Sequence, residues 1–291
     1  HIASFIKYWQ EELGIRVLLH CGIGGQALGN RALLETIGVK DGYRVMVLEK
    51  LGENFKKLFD DLIEQGFRPS QIAIHCSSKS GTTDETLGNF QAALRELIIR
   101  LSQEIYQDER IGLDLVNHLD EKGDLSKFSL AELKLNERQI KILREVFIRF
   151  IFTTTLDEQK SMLYKLARSK LSEELLGPVL GRPGIFVVGI PDNIVGRFSE
   201  RSQSGEVTGA FAGRDIHSLN QGARKALPLY KSHDPEINPS LKVANYLYLL
   251  NPDYIVIAVQ SFNMRAVASA LAQKFPESWG KDESGPFVLT V

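Results

Sequence analysis

QIAIHCSSKSGTTDET, residues 71–86, joins an apolar run of strand length to a loop carrying Ser78, Ser80, Thr82, Thr83 and Thr86. The apolar half lacks clean alternation, as expected of a parallel strand covered on both faces. Gly81 permits unusual backbone angles in the loop. Thr82 with Glu85 reads as a capping box, so a helix starts here. Leu87, Phe90, Leu94 and Ile98 then supply one apolar helical face.

The same grammar recurs outward from this stretch. Strand-length apolar runs lie at 16–23 (RVLLHCGI), 43–49, 146–152 and 184–190, with helical patterns near 26–37, 53–65, 83–104 and 158–169. Strand and helix in alternation predict an α/β fold: three layers, doubly wound around a five-stranded parallel sheet of the flavodoxin-like kind. Residues 105–143 break that rhythm, being charged and leucine-bearing. They read as a helical insertion, most simply a solvated helical pair. NPSLKVANYLYLL, from Asn238, has an Asn cap and Pro at the first helical position. A strand pattern at 253–259 and a helix from about Phe262 follow. The division expected is 1–232 for a first domain and 236–291 for the start of a second α/β lobe. The chain begins at His1 and ends on the apolar PFVLTV, and so reads as a piece of a longer one.

Composition narrows the function. The 291 residues are 43% hydrophobic and 24% charged, an ordinary balance for a soluble globular protein. A net charge of −1 gives no reason to expect nucleic acid or an anionic membrane as partner. No run is long enough to span a bilayer, and no leader pattern opens the chain. Cys21 and Cys76 sit in apolar strand runs. They read as buried residues of a cytoplasmic protein rather than a disulfide.

Two turns carry candidate chemistry. CGIGGQALG, residues 21–29, contains Gly22, Gly24 and Ala27 in a loose dinucleotide-type spacing, with Glu49 where a ribose-binding acid would stand. A tight strand-to-helix turn without ligand fits the glycines equally. The hydroxyl loop at 77–86 stands at a helix N-terminus, where free N–H groups and the helix dipole favour an anion. Its hydroxyl density exceeds what capping needs, which favours a phosphate. No GxxxxGK[ST] pattern is present, which argues against a P-loop nucleotide site.

GIGGQALG and SSKSGTTDET together resemble the phosphoglucose isomerase (glucose-6-phosphate isomerase) family and the wider sugar-isomerase (SIS) domain superfamily. Residues 191–213 are similar to that family's G-R-[FY]-S segment, and QKFPESWGK, 273–281, to its Q-x-x-x-E-S-x-G-K segment. The resemblance implies interconversion of glucose 6-phosphate and fructose 6-phosphate with no metal and no cofactor. It implies that Ser78, Ser80, Thr83 and Thr86 hold the phosphate, with Lys79, Gly24 and Gly25 beside it. Glu277 would be the catalytic base, Arg197 would stabilise the enediolate, and Gln273 would position the substrate. It further implies a homodimer, because the family's ring-opening histidine comes from the partner subunit. His217 and His233 precede Glu277 and do not match that histidine by order. Three positions depart from the family: Gln26 replaces a usual serine, Val195 replaces a glycine, and Pro276 stands beside Glu277. Three other readings stand beside this one. They are a non-catalytic phosphosugar-binding protein, a dinucleotide oxidoreductase using Glu49, and an amino-sugar isomerase of the same superfamily.

Overall fold

The computed structural model describes residues 2–50, 52, 54–180, 184–191, 194, 202–261, 264–279 and 286–291. Helix α1 (Ile2–Glu11) leads into β1 (Val17–Cys21), α2 (Gly25–Ile37), β2 (Arg44–Leu48) and α3 (Phe55–Glu64). Next come β3 (Ile72–Ser77), α4 (Asp84–Tyr106), α5 (Glu109–Lys122), α6 (Leu130–Leu133) and α7 (Glu137–Phe147). They are followed by β4 (Phe150–Thr154), α8 (Met162–Ala167), α9 (Lys170–Leu180), β5 (Phe186–Gly189) and α10 (Gln203–Phe211). The chain continues through α11 (Ile216–Lys231), α12 (Pro239–Leu250), β6 (Tyr254–Ile257), α13 (Arg265–Trp279) and β7 (Phe287–Thr290).

Among the described residues, β1–β5 form a five-stranded parallel sheet in the order β2-β1-β3-β4-β5. This is the expected doubly wound, flavodoxin-like order, in which ligands bind where the strand order reverses. Both faces are covered, which is why the strands lack alternation. On one face Val17, Leu19, Ile72, Ile74, Phe150 and Phe152 pack in a cluster with residues of α3, α4, α5, α7 and α9. On the other, Leu18, Ala73 and Ile151 meet Phe5, Ile6 and Trp9 of α1 and Val207 and Phe211 of α10.

Two expectations need correction. The apolar run read as a strand over 146–152 divides between two elements. Val146 and Phe147 end α7, and β4 begins at Phe150. Ile142, Leu143, Val146 and Phe147 are all buried on one side of α7, so helical spacing claims the first part of the run. The 105–143 region is also not a solvated pair. Leu115, Val116 and Leu119 of α5 join Ile142 and Leu143 in the main core. Their leucine spacing is that of a core-facing helix whose outer face is charged.

A second, two-stranded sheet pairs β6 with β7 in parallel through the α13 crossover. α13 packs on α2, and its Ala266 amide donates to Glu35 Oε2 at 2.9 Å. α12 and this small sheet leave large apolar side chains in solvent, including Tyr248, Leu249, Leu250 and Phe287.

Helices α4 and α5 meet tightly at Gly112, where an added Cβ would lie 2.7 Å from Ile99 Cα, a backbone atom that cannot swing aside. Gly112→Val should therefore destabilise the fold by about 2 kcal/mol, read as a lower urea midpoint with an unchanged slope.

Candidate functional site

The carboxyl ends of β1, β3 and β4 surround a cleft of about 630 Å³. Parallel βα connections bring strand ends and helix starts to the same edge, so the N-termini of α2 and α4 both open here. Each lacks a side-chain cap. Gly24, the N-cap of α2, has no side chain, and the Thr83 hydroxyl does not cap α4. Helices α3, α5, α7, α8 and α12, by contrast, start with an Asn, Asp or Ser side chain bonded to the first turn. First-turn N–H groups left uncapped at α4 are oriented donors for an anion, whereas at α2 the Gln26 and Ala27 amides already meet the Ile23 and Gly24 carbonyls at 3.1 Å.

The expected capping box at Thr82 and Glu85 is not formed. Helix α4 begins at Asp84 with Thr83 as N-cap, and the Thr83 hydroxyl turns instead to Ser78 Oγ at 3.0 Å. Ser78 Oγ also accepts from the Gly81 amide at 3.1 Å, and Ser80 Oγ accepts from the Thr82 amide at 3.3 Å. The hydroxyls thus brace their own loop. Gly81 has φ +64°, and a Cβ there would fall within 3.0 Å of the Ser161 side chain. Ser161 caps α8 and contacts Thr154 Oγ1 at 2.7 Å, so the loop after β3 is seated against the loop after β4.

The structure brings the expected phosphate residues together. Ser78, Lys79, Ser80, Thr83 and Thr86 line the cleft from the β3–α4 side, and Gly24 and Gly25 line it from the β1–α2 side. The Lys79 ammonium donates to the Ile194 carbonyl at 2.9 Å. Gln273, on α13, reaches the same cleft, and a Cβ at Gly24 would lie 3.2 Å from its Nε2. Pro276 does not end that helix, which runs to Trp279. Proline in the last turn removes one backbone bond and spares the rest. Glu277 belongs to α13, but its side chain lies outside the described residues, as do Val195 and Arg197.

Sequence reasoning missed Thr155 and Lys160, which line the cleft from the loop after β4. The position of that loop depends on the β3–β4 pairing, which no local motif encodes. Glu49, the candidate ribose acid, is held by Arg31 at 2.6 Å and does not line the cleft. A second cavity, about 300 Å³, lies between α4, α5 and α8; it is mainly apolar and has no comparable convergence of donors. His217 and His233 are exposed. Among the described residues no cluster of His, Cys, Asp or Glu is arranged to hold a metal, and no helix is long and apolar enough to cross a membrane.

Behind the cleft, the second face of the sheet turns polar. His20 and His75 are register partners on β1 and β3, with Nδ1 atoms 2.9 Å apart. His75 Nε2 meets Thr153 Oγ1 at 2.8 Å. Burial drives the His20 imidazole down to about 4, opposed by its bond to the Gln26 carbonyl. Burial, and then His20, holds His75 well below its usual value. Burial likewise raises the Cys21 thiol to about 12, and both cysteines are free.

Over 287 residues the chain is 27% identical to the glucose-6-phosphate isomerase of Mycoplasmopsis pulmonis, covering 98% of this chain and 54% of that protein. It is 27% identical over 286 residues to the enzyme of the same name from Acetivibrio thermocellus, covering 94% of this chain and 51% of that one. Along nearly its whole length the chain is thus similar, at low identity, to glucose-6-phosphate isomerases. No family model matches it. Two solved structures share its fold. A hypothetical protein of Thermus thermophilus superposes with TM-score 0.69 at 24% identity, over 100% of this chain and 56% of that one. A glucose-6-phosphate isomerase of Chlamydia trachomatis superposes with TM-score 0.59 at 18% identity, over 99% of this chain and 47% of that one. The chain spans about half the length of the curated relatives it matches.

Acid should unfold this protein through its buried imidazoles. A histidine held neutral in the fold binds fewer protons than the unfolded chain below its ordinary value of 6.5. Stability is thus complete above about pH 6.5 and declines down to about pH 4, where the contribution of His20 reaches on the order of 3 kcal/mol. Urea midpoints between pH 7 and 4 should show this slope, and it should be shallower in the double variant His20→Gln, His75→Gln.

Proposed function

We infer that the protein is an aldose–ketose isomerase interconverting glucose 6-phosphate and fructose 6-phosphate. The observation that supports this most is the convergence of two uncapped helix N-termini with Ser78, Ser80, Thr83, Thr86 and Lys79 on one cleft that Gln273 also enters. Such a cleft suits a phosphate at one end of a small polar ligand.

In this reading the phosphate docks on the β3–α4 loop, with the backbone at Gly24 and Gly25 beside it. That remote binding energy orients the sugar carbons toward α13. Glu277 removes the proton from C2 of the open-chain aldose, leaving an enediolate; a proton passes from O2 to O1, and Glu277 returns its own proton to C1 to give the ketose. Arg197 faces the developing oxyanion and Gln273 holds the hydroxyls. The proton moves between adjacent carbons with no net gain or loss of electrons, so the reaction needs no redox cofactor. We place the boundary between two sugar-isomerase lobes at 232–236, between α11 and α12, and read the protein as a cytoplasmic homodimer. A monomeric mass in light scattering would count against the dimer.

A non-catalytic phosphosugar-binding protein is the second reading. Gln26, standing in the cleft where the family usually has serine, is the observation in its favour. Conversion of fructose 6-phosphate to glucose 6-phosphate, coupled to NADPH formation by a dehydrogenase, separates the two. Turnover that falls about a thousandfold in Glu277→Gln supports the isomerase and its base. Binding without turnover by the unmodified chain supports the second reading. Ser78→Ala should weaken binding about tenfold, because it removes a hydroxyl beside the anion and the acceptor of the Gly81 amide.

A further inference from the structure

The cavity of about 300 Å³ between α4, α5 and α8 has no part in the isomerase reading. Its walls include Phe90 and Leu94 of α4, Leu119 of α5, and Met162 and Leu163 of α8. Phe90, Leu119 and Leu163 are buried members of the main core, so the space reaches into the core. The Phe90 ring meets Phe150 and Phe152 edge-on, at centroid distances of 5.2 and 5.4 Å, which fixes its tilt. Met162 stands at the mouth, 47% exposed, and its flexible thioether adapts to an aromatic face.

Charge at the rim is already balanced. Arg95 Nε and Nη2 both donate to Asp120 Oδ1, at 3.1 and 2.8 Å. Asp124 accepts from the Ser126 hydroxyl at 2.6 Å and lies 3.6 Å from the Lys165 ammonium. An ionic ligand would find these partners engaged and would leave water for an apolar space. A neutral ligand with an apolar body meets no such penalty. Close-packed interiors hold few voids of this size, and a dry cavity of about 150 Å³ already takes up benzene.

The cavity and the cleft share a wall. Thr86 lines the cleft, and Leu87, the next residue of α4, lines the cavity. On the other side Lys160 lines the cleft, and Met162 and Leu163 line the cavity. Between them stands Ser161, the residue on which Gly81 of the hydroxyl loop is seated. Ser161 Oγ also contacts Thr154 Oγ1 at 2.7 Å and accepts from the Tyr164 amide at 3.2 Å. A shift in the first turn of α8 therefore moves the seat of the β3–α4 loop.

We propose that this cavity is a second ligand site, for a small neutral aromatic molecule, coupled through α8 to the β3–α4 loop. The cavity is formed with Gly81 seated, so an occupant stabilises the seated loop and strengthens anion binding in the cleft. The coupling, though not the cavity, rests on the phosphosugar reading.

Calorimetric titration with indole tests it, together with titration of fructose 6-phosphate in the absence and presence of indole. Indole should bind the unmodified chain and tighten fructose 6-phosphate about fivefold, and fructose 6-phosphate should tighten indole by the same factor. Leu94→Phe and Leu166→Phe, which fill the space, should each abolish indole binding and leave fructose 6-phosphate binding without indole within about twofold. Benzoate, of similar shape but charged, should not bind. No indole binding by the unmodified chain, undiminished binding in both filled variants, or equal binding of benzoate overturns the inference. Indole binding without effect on fructose 6-phosphate overturns the coupling. Indole bound by a chain that binds neither fructose 6-phosphate nor inorganic phosphate overturns the phosphosugar reading and the coupling with it, and supports the cavity as a ligand site. Thermal melting of each variant separates lost binding from lost fold.

Discussion

Five ladder positions, from Val17 opposite Ile72 to Cys21 opposite Cys76, pair β1 with β3 in parallel, and the cleft depends on that pairing. A parallel ladder ends both strands at the same edge. It therefore sets Gly22–Gly25 beside Ser78–Thr83, although some fifty residues separate them. Each loop then starts a helix, so the two N-termini share one space. Slipping β1 by one residue against β3 would turn His20 to the opposite face, away from His75. The apolar residues on both faces of each strand make that slip costly, because either face has its own fitted core.

The sheet's second face changes character along its length. Near the strand starts it is packed by Leu18, Ala73 and Ile151 against aromatic residues. Near the strand ends it carries His20, His75, Ser77 and Thr153, all fully buried. Polar groups buried this deeply destabilise a fold unless their hydrogen bonds are made. Here they are nearly all made; among the described residues Gln203 Oε1 is the one buried side-chain oxygen without a partner. The network runs from Thr153 to the first turn of α2, and so stiffens the wall against which the cleft is built. A satisfied network in low dielectric holds one arrangement more sharply than apolar packing does.

Most of the first sheet was legible in local pattern. The strands at 16–23 and 71–78 were visible because runs buried on both faces stay apolar along their whole length, and the half-buried edge strands at 43–49 and 184–190 because they too are mostly apolar. The error at 146–152 arose where an apolar helix end abuts an apolar strand start, and periodicity over a few residues cannot tell the two apart. The misreading of 105–143 had a different cause. Charged outer faces on α5 and α7 dominate the composition, while the leucines and isoleucines that enter the core are a minority at helical spacing.

The residues of the cleft were likewise readable one loop at a time. Sequence alone marked the hydroxyl loop as an anion site, because helix starts with excess hydroxyls suit anions wherever they occur. It marked Gly24 and Gly25 as close-approach positions and Gln273 as part of a substrate segment. What it could not show is direction. The Thr83 hydroxyl braces Ser78 and leaves the amides of α4 uncapped, a choice made by the seating of Gly81 against Ser161. Gln26 was legible only as a departure from serine. Its side chain meets Ser77 and its backbone carbonyl meets Asn30, which also reaches Ser204, residues that sequence scatters over β3, α2 and α10 and that parallel pairing and layer packing bring within hydrogen-bonding distance. Local spacing determines which groups can bind an anion. The pairing of distant strands and the seating of one loop on another determine which of those groups share a cleft, and that exists only in the folded chain.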